Sequence, residues 1–274
     1  MTTAADDSAS LIAQAKRLRR AVLEMIAAVG TGHPGSSLSM VEILTVLYYA
    51  VLRHRPGEPE WPLRDRFLLS KGHGAPALYA TLIDLGVLAL ETATLLRQLG
   101  SPLQGHPDRR FTPGLEISAG SLGQGLSMGL GMALAARRLE QTWRVYVLLG
   151  DGECQEGQVW EAAMAAGHHR LHRLCAIVDC NGFQHDGAVE DILDLEPLAA
   201  KWRAFGWRTV EVDGHDCAVL ARTLRTVGEG ERPVAVLART VKGKGVAFME
   251  GRSDWHSVAD ADQLARYVEE LGRA

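Results

Sequence analysis

Two polar side chains follow two apolar runs of this sequence, and together they could bind a metal ion. Asp151 follows the run 145–150, and Asn181 follows the run 176–180. Short β-branched runs are typical of buried parallel strands, whose carboxyl ends lie at one edge of a sheet. The Asp151 carboxylate, the Asn181 amide oxygen and a main-chain carbonyl, which we expect to be that of Phe183, are the hard oxygen ligands that Mg²⁺ or Ca²⁺ prefers.

The residues around Asp151 also suit an anion. Gly150 and Gly152 permit a tight turn and let the backbone approach a bound group closely. A predicted helix begins after this turn, so its positive end faces the site. Mg²⁺ usually completes its coordination with substrate phosphates and water. Gly-Asp-Gly by itself could be no more than a turn, but the preceding strand and the position of Asn181 favour a site for a metal and a phosphate.

These motifs resemble those of a known family. The string Gly150-Asp-Gly-Glu153, with Asn181 at the end of the next strand, resembles the thiamine diphosphate motif, and residues 150–162 look like its transketolase version. The resemblance runs from about residue 27 to residue 256 and matches only the amino-terminal part of a full-length transketolase. It implies the N-terminal, diphosphate-binding subunit of a split transketolase, with thiamine diphosphate and Mg²⁺ (or Ca²⁺) as cofactors.

The resemblance also implies roles for four histidines. His33 lies in Gly-His-Pro-Gly, His73 in Gly-His-Gly, His106 in Gly-His-Pro and His256 in Trp-His-Ser, where the family usually has Trp-His-Gly. All four are assigned to the catalytic site, near the sugars or the diphosphate. Cofactor contacts are assigned to His73, Gly120, Leu122, Gly152, Glu153, Asn181 and His256, and metal contacts to Asp151, Asn181 and Phe183. Residues 120–125, Gly-Ser-Leu-Gly-Gln-Gly, look like transketolase and unlike deoxyxylulose-phosphate synthase or the pyruvate dehydrogenase α subunit.

Strands and helices that alternate along the chain must position these residues. The pattern predicts an α/β fold, a mostly parallel sheet with helices on both faces. Strands are predicted at 67–69, 145–149, 176–180, 207–212 and 233–240, and helices at 8–29, 37–52, 75–85, 91–99, 126–139, 158–171, 197–205, 216–227 and 260–271. Ser37 or Ser39 would cap the second helix, Pro197 would be the first residue of its helix, and Asp216 would be a cap. One face of helix 158–171 would carry Trp160, Ala163, Met164, Gly167 and Leu171.

Composition limits the class of protein. The 274 residues carry a net charge of -4, which does not suggest binding to nucleic acid. No apolar run is as long as a membrane span, and the N-terminus lacks the pattern of a signal peptide. The four cysteines include no Cys-x-x-Cys pair, so we expect buried thiols in a reducing cytoplasm. We expect one domain over residues 1–274, without the pyrimidine-binding and C-terminal domains.

The implied reaction transfers a two-carbon ketol unit from a ketose (phosphate) to an aldose (phosphate). In the family, a second domain supplies a glutamate and phosphate-binding arginines, so we expect a separate C-terminal subunit in an α2β2 assembly. Glu156 and Glu161 would lie at or near the subunit interface and the cofactor, or form surface ion pairs. Lys242 and Lys244 suit an anion but could equally be solvated. His215 is predicted to be structural.

Three alternatives remain open at this point. The chain could bind a metal diphosphate without turnover, or it could be the α subunit of a 2-oxo acid dehydrogenase or a deoxyxylulose-phosphate synthase-like enzyme. The intact set of histidines argues against the first alternative. The motifs at His106 and at residues 120–125 argue against the other two. The sequence does not identify the donor and acceptor sugars.

Overall fold

The computed structural model describes residues 4–258 and 260–273. Its α-helices are α1 (Ala4–Val29), α2 (Pro34–Leu38), α3 (Val41–Val46), α4 (Ala75–Asp84), α5 (Gln124–Arg138), α6 (Gly157–His168), α7 (Val189–Leu193), α8 (Leu198–Ala204), α9 (Cys217–Arg225) and α10 (Ala261–Arg273). Its strands are β1 (Arg66–Leu69), β2 (Val145–Gly150), β3 (Leu174–Cys180), β4 (Arg208–Asp213) and β5 (Val234–Arg239). In the described residues, no helix is both long enough and apolar enough to span a membrane.

The five strands form one parallel sheet in the order β1-β2-β3-β5-β4. Parallel pairing brings the carboxyl ends of all strands to one edge, and Gly150 of β2 pairs there with Asp179 of β3. The turns that follow β1, β2, β3 and β5 therefore meet at this edge, where open α/β sheets bind ligands.

Both faces of the sheet are covered by helices. Successive strand residues point to opposite faces, so Tyr146 and Leu148 pack with residues of α1, α3, α4 and α9. Val147 and Leu149 pack with residues of α5, α6 and α8 on the other face. β2 and β3 are buried along their whole length, which explains their continuous apolar sequence. The prediction of a parallel α/β sheet with helices on both faces is confirmed.

The small residues of α5 allow this helix to approach the sheet closely. A Cβ atom at Gly129 would lie 2.5 Å from Cγ2 of Val147, inside van der Waals contact. The α5 backbone therefore lies directly against β2, and it brings the glycine run 120–125 to the edge of the sheet that carries Asp151.

Several predicted helices were wrong in detail. Residues 91–99 do not form a helix; 3-10 turns span Leu90–Leu95 and bury none of their residues. Helix 37–52 is divided into α2, α3 and a π-helical turn at Leu47–Val51. Met40 occupies the N-cap of α3 without a side-chain hydrogen bond, and Ser37 lies inside α2, so neither predicted serine cap exists.

Two further predictions failed at helix surfaces. Met164 of α6 is exposed, and the residues of α6 that are buried are Val159, Ala162, Ala163 and Ala166. Alanines, not the large side chains, let α6 pack against the sheet. Pro197 is the N-cap of α8, one position before the first helical residue. Asp216 does cap α9, where its carboxylate accepts hydrogen bonds from Ala218 N and Val219 N, each 2.9 Å long.

Candidate cofactor and active site

Asp151 and Asn181 lie side by side at the carboxyl edge of β2 and β3. Asp151 Oδ2 accepts a hydrogen bond from Gly182 N at 2.7 Å, and Oδ1 accepts one from Gly152 N at 2.9 Å. Asn181 Oδ1 accepts from Phe183 N at 3.0 Å. Each of these oxygens retains a further lone pair for a cation. The structure thus brings together the carboxylate, the amide oxygen and the backbone of the predicted metal ligands.

The environment of Asp151 favours a bound cation. Burial, and then the neighbouring Asp179 carboxylate, raise the pKa of Asp151 to about 6. A carboxylate that is buried in this way has lost water without gaining a charged partner of its own. A divalent cation would compensate that charge, which is the situation expected of a metal ligand.

A buried ion pair behind the site was missed by the sequence reasoning. Asp179 is fully buried, and its carboxylate accepts hydrogen bonds from the Lys71 ammonium, Ser39 Oγ and Thr240 Oγ1. Burial alone would raise the pKa of Asp179, but Lys71 and the hydrogen bonds outweigh burial and lower it. Asn181 Nδ2 also donates to Asp179 at 3.2 Å, so this pair orients the Asn181 amide. The sequence did contain a signal for this ion pair, because Asp179 is a charged residue inside an otherwise apolar strand.

Glu153 joins three segments around the site. One carboxylate oxygen accepts hydrogen bonds from Ser70 Oγ and from Gly123 N, the latter at 2.8 Å, and the other accepts from Gly150 N at 3.0 Å. The Glu153 side chain is buried. Its carboxylate therefore holds the turn after β1, the glycine run before α5 and the end of β2 in one arrangement.

The four predicted histidines form one cluster. The His33 ring centroid lies 5.6 Å from that of His73, 6.0 Å from that of His106 and 5.3 Å from that of His256. The His73 and His256 rings are 5.1 Å apart. His185, which the sequence did not single out, is a fifth member, 5.0 Å from His256.

The imidazoles of the four predicted histidines are neutral near pH 7. Burial lowers the pKa of His33 to about 4 and that of His256 to about 3, with smaller contributions from neighbouring cations. Burial also lowers the pKa of His73 and His106. A neutral imidazole has one N–H donor and one acceptor nitrogen, so each ring can bind a hydroxyl group in either direction. His33 Nδ1 is buried and has no hydrogen-bond partner among the described residues, as expected of an atom that forms its hydrogen bond with a ligand.

Lys242 is buried at the same site. Its ammonium donates to Gln184 O at 3.3 Å and lies 3.2 Å from His256 Nδ1. Burial and the Lys71 charge lower the pKa of Lys242 to about 8, so it carries a positive charge at pH 7. The alternative of a solvated Lys242 is wrong, whereas the Lys244 side chain is 38% exposed.

All eleven predicted site residues line one cavity of about 290 Å³: His33, His73, His106, Gly120, Leu122, Asp151, Gly152, Glu153, Asn181, Phe183 and His256. Lys71, Gln184, His185 and Glu156 also line it, whereas Glu161 is an exposed residue of α6. The Lys71 ammonium and the neutral imidazoles of the lining, together with the Lys242 ammonium that contacts Gln184 and His256, suit an anion, and the Asp151–Asn181 pair suits a hard cation. The donor set therefore fits a metal diphosphate.

Comparison with known proteins agrees with this chemistry. The family model described as "Transketolase, thiamine diphosphate binding domain" matches residues 10–273. A 6-deoxy-6-sulfo-D-fructose transketolase subunit from Clostridium sp. (strain MSTE9) is 43% identical over 252 residues, 92% of this chain and 92% of that protein. An apulose-4-phosphate transketolase subunit from Phocaeicola vulgatus is 40% identical, over 94% of this chain and 92% of that protein. Transketolase from Campylobacter jejuni superposes with a TM-score of 0.88 at 32% identity, covering 96% of this chain and 42% of that chain.

Fold and cavity thus define a thiamine diphosphate-binding α/β domain. The chain belongs to the transketolase family, in which it corresponds to the N-terminal, thiamine diphosphate-binding domain. The resemblance inferred from the sequence is confirmed. The chain spans nearly the whole length of the two relatives named as subunits, but less than half of the solved Campylobacter jejuni transketolase.

Proposed function

We propose that this chain is the N-terminal subunit of a split, thiamine diphosphate-dependent transketolase. The enzyme would transfer a two-carbon ketol unit from a ketose (phosphate) to an aldose (phosphate). The observation that carries this proposal is the cavity lined by the Asp151–Asn181 pair, Lys71 and four neutral histidines, with the Lys242 ammonium in contact with the lining residues Gln184 and His256. The two subunit-length relatives are named for a sulfosugar and for a phosphorylated ketose. These are the first donor classes to test.

In the proposed holoenzyme, Asp151, Asn181 and the main-chain carbonyl of Phe183 would hold Mg²⁺ (or Ca²⁺) together with the diphosphate. His73 lines this cavity and Lys242 contacts its lining residues Gln184 and His256, and both side chains would contact the anion. The backbone of Gly120, Leu122 and Gly152, with Glu153 behind them, would line the cofactor. When bound, thiamine diphosphate supplies the electron sink for breaking and forming the carbon–carbon bond.

The histidine cluster would bind and orient the sugar substrate. The His33 ring lies 6.0 Å from that of His106 and 5.3 Å from that of His256, and all three rings line the cavity. As neutral rings they can donate a hydrogen bond to a carbonyl or alkoxide oxygen and accept one from a hydroxyl group. This arrangement orients the substrate and provides groups that can take or return a proton at a sugar oxygen. A protein that only stored a metal diphosphate would have no use for such a cluster.

The proposal includes a second, C-terminal subunit that carries the pyrimidine-binding and C-terminal domains. Two relatives that match this chain nearly end to end are themselves named as transketolase subunits. An α2β2 assembly is proposed, with Glu156 and Glu161 at its interface. Met128 of α5 and Met164 of α6 are exposed apolar side chains, suited to contact with the partner chain. The cysteines bear on the location of the protein. All four are buried and unpaired, which fits the proposed cytoplasmic location.

The direct test is a ketol-transfer assay with the chain alone, the C-terminal partner alone and both together. The partner is sought as a neighbouring reading frame that encodes a pyrimidine-binding domain. Activity is expected only in the mixture with thiamine diphosphate and Mg²⁺. Full turnover by the chain alone would contradict the split enzyme. Tight binding of the cofactor in the mixture without turnover of any sugar donor would favour a binding protein instead.

A further inference from the structure

The loop 241–245 places Lys242 beside the cofactor cavity, in contact with two residues that line it. The Lys242 side chain is completely buried, and its ammonium contacts Gln184 O and His256 Nδ1. A lysine on a loop after a strand has four rotatable side-chain bonds, so something must fix its backbone if the ammonium is to stay in place. The loop must therefore be held by contacts from outside the cavity.

Arg19 of α1 and His215 of the β4–α9 turn hold this loop, and Glu42 of α3 links the two; none of these three residues lines the cavity. We call them the clamp. Arg19 donates two hydrogen bonds to the Glu42 carboxylate, at 2.7 and 3.0 Å, and His215 Nδ1 lies 2.9 Å from Glu42 Oε2. The side chains of all three are at most 15% exposed. The clamp is thus a buried network of one anion, one guanidinium and one imidazole.

The clamp contacts the loop on both sides of Lys242. Val241 N donates to His215 Nε2 at 2.9 Å, and Arg19 Nε donates to Lys244 O at 2.7 Å. The backbone of Lys242 itself is fixed by a hydrogen bond from Gly251 N to Lys242 O, 2.9 Å long. The Lys244 ammonium instead lies 3.5 Å from the Glu250 carboxylate, at the surface. The two lysines therefore diverge, one to the cavity and one to solvent.

The hydrogen bonds define the state of His215. Because Nε2 accepts from Val241 N, it cannot carry a proton, so Nδ1 must carry it and donate to Glu42. Glu42 is needed to select this tautomer, and Arg19 is needed to hold Glu42. Burial alone would raise the pKa of Glu42, but His215 and Arg19 lower it, so the carboxylate stays charged.

We propose that Arg19, Glu42 and His215 are positioning residues that hold Lys242 at the wall of the cavity for the anionic tail of the cofactor. The inference rests on the proposed function for the identity of the anion. It assigns a task to three residues that lie outside the cavity and touch neither metal nor substrate. Without the clamp, the loop would remain attached to β5, but Lys242 would lose its fixed direction.

Lysine labelling of the full chain tests this proposal, and the cavity supplies its own control. Lys71 is as buried as Lys242, but it is held by Asp179 and Ser36 O and touches no member of the clamp. Acetylation at each lysine is followed by mass spectrometry. In His215→Ala, the labelling rate of Lys242 is expected to rise about tenfold, the size expected for one buried hydrogen bond. The rate at Lys71 should stay within about twofold.

Two further variants distinguish selective loss of the clamp from general loss of folding. Glu42→Gln keeps the shape of the clamp but removes its charge, and should expose Lys242 in the same selective way. His54→Ala removes a partly buried histidine, which contacts Tyr48 O and lies outside the clamp, and should change neither lysine. Equal labelling of Lys71 and Lys242 in folded His215→Ala would show general loosening and overturn the proposal. Unchanged protection of Lys242 in both clamp variants would also overturn it.

Binding of Mg²⁺–pyrophosphate, measured by calorimetry, links the clamp to the anion. His215→Ala and Lys242→Ala should each weaken binding about tenfold, and the double variant should lose no more than Lys242→Ala alone. Fully additive losses would mean that His215 acts elsewhere, and would overturn the proposal. If Asp151→Ala left this binding unchanged, the proposed cofactor site would be wrong, whereas the labelling experiment would still decide whether the clamp holds Lys242.

Discussion

Replacing Asp151 by asparagine is expected to stabilise the metal-free chain while destroying its metal site. The pKa of Asp151 rises from 3.8 to about 6 on folding, which corresponds to about 3 kcal/mol of destabilisation at pH 7. Asparagine removes this charge and keeps one acceptor oxygen. Its amide cannot accept from both Gly152 N and Gly182 N, and the lost hydrogen bond costs about 1.5 kcal/mol. The net gain in the free energy of unfolding is about 1.5 kcal/mol.

The sign of this effect depends on pH. Because the folded-state pKa is raised, the proton on Asp151 stabilises the folded chain below pH 3.8, and this contribution is lost as the pH rises through about 6. The advantage of Asp151→Asn should therefore shrink by about 2 kcal/mol between pH 7 and pH 4, where the variant becomes the less stable protein. Urea unfolding with a chelator at the two pH values measures this. Excess Mg²⁺ should stabilise only the wild type.

Asp179→Asn is the matched control, because Asp179 is also a buried aspartate at this edge of the sheet. Its carboxylate is paired with Lys71, and removing one partner of a buried ion pair costs about 3–5 kcal/mol. The two asparagine variants should thus change stability in opposite directions at pH 7. The reasoning fails if Asp151→Asn destabilises the metal-free chain at pH 7 to the same extent as Asp179→Asn.

Three further predictions follow from the same geometry. Metal affinity, measured by calorimetry, should fall by about tenfold per pH unit below pH 6, because the proton on Asp151 competes with the cation; a flat profile would exclude Asp151 as a ligand. Lys242→Met should weaken Mg²⁺–pyrophosphate binding at pH 7 but have little effect above pH 9, since the pKa of Lys242 is about 8. Gly167→Ala should lower the free energy of unfolding by about 2 kcal/mol or more, because its Cβ would overlap the Phe205 carbonyl oxygen; Gly131→Ala, which faces open space, should not.

The edge of the sheet that carries the site could be predicted from the sequence. β2 and β3 are apolar runs, interrupted by Asp179 in β3, that end at Asp151 and Asn181, and parallel pairing then leaves those two side chains little freedom in where they lie. Glycine-rich turns before helices likewise marked His33 and His73. These signals are local in the sequence. The regular geometry of a parallel sheet brings the residues that they mark to one edge, where they form a common site.

Features that depend on tertiary packing could not be predicted in the same way. The partner of Asp179 is Lys71, 108 residues away, so only the fold reveals that the pair is satisfied. From the sequence alone, Lys242 resembles a surface residue. In the structure its loop packs against α2, where Gly243 N donates a hydrogen bond to Gly35 O. The sequence 91–99 contains Leu95, Leu96 and Leu99, and of these three Leu96 is buried whereas Leu95 and Leu99 are exposed. One buried leucine does not give the segment the continuous apolar face that stabilises a helix by packing.

The central claim is that a divalent cation bound between Asp151 and Asn181 attaches thiamine diphosphate to this sheet. Titration of thiamine diphosphate into the chain assembled with its C-terminal partner, at saturating Mg²⁺, tests it most directly. Asp151→Ala should weaken cofactor binding by about 100-fold, which is about 2.7 kcal/mol and lies in the range found when one partner of a buried charge pair is truncated. An affinity equal to that of the wild-type assembly would contradict the claim.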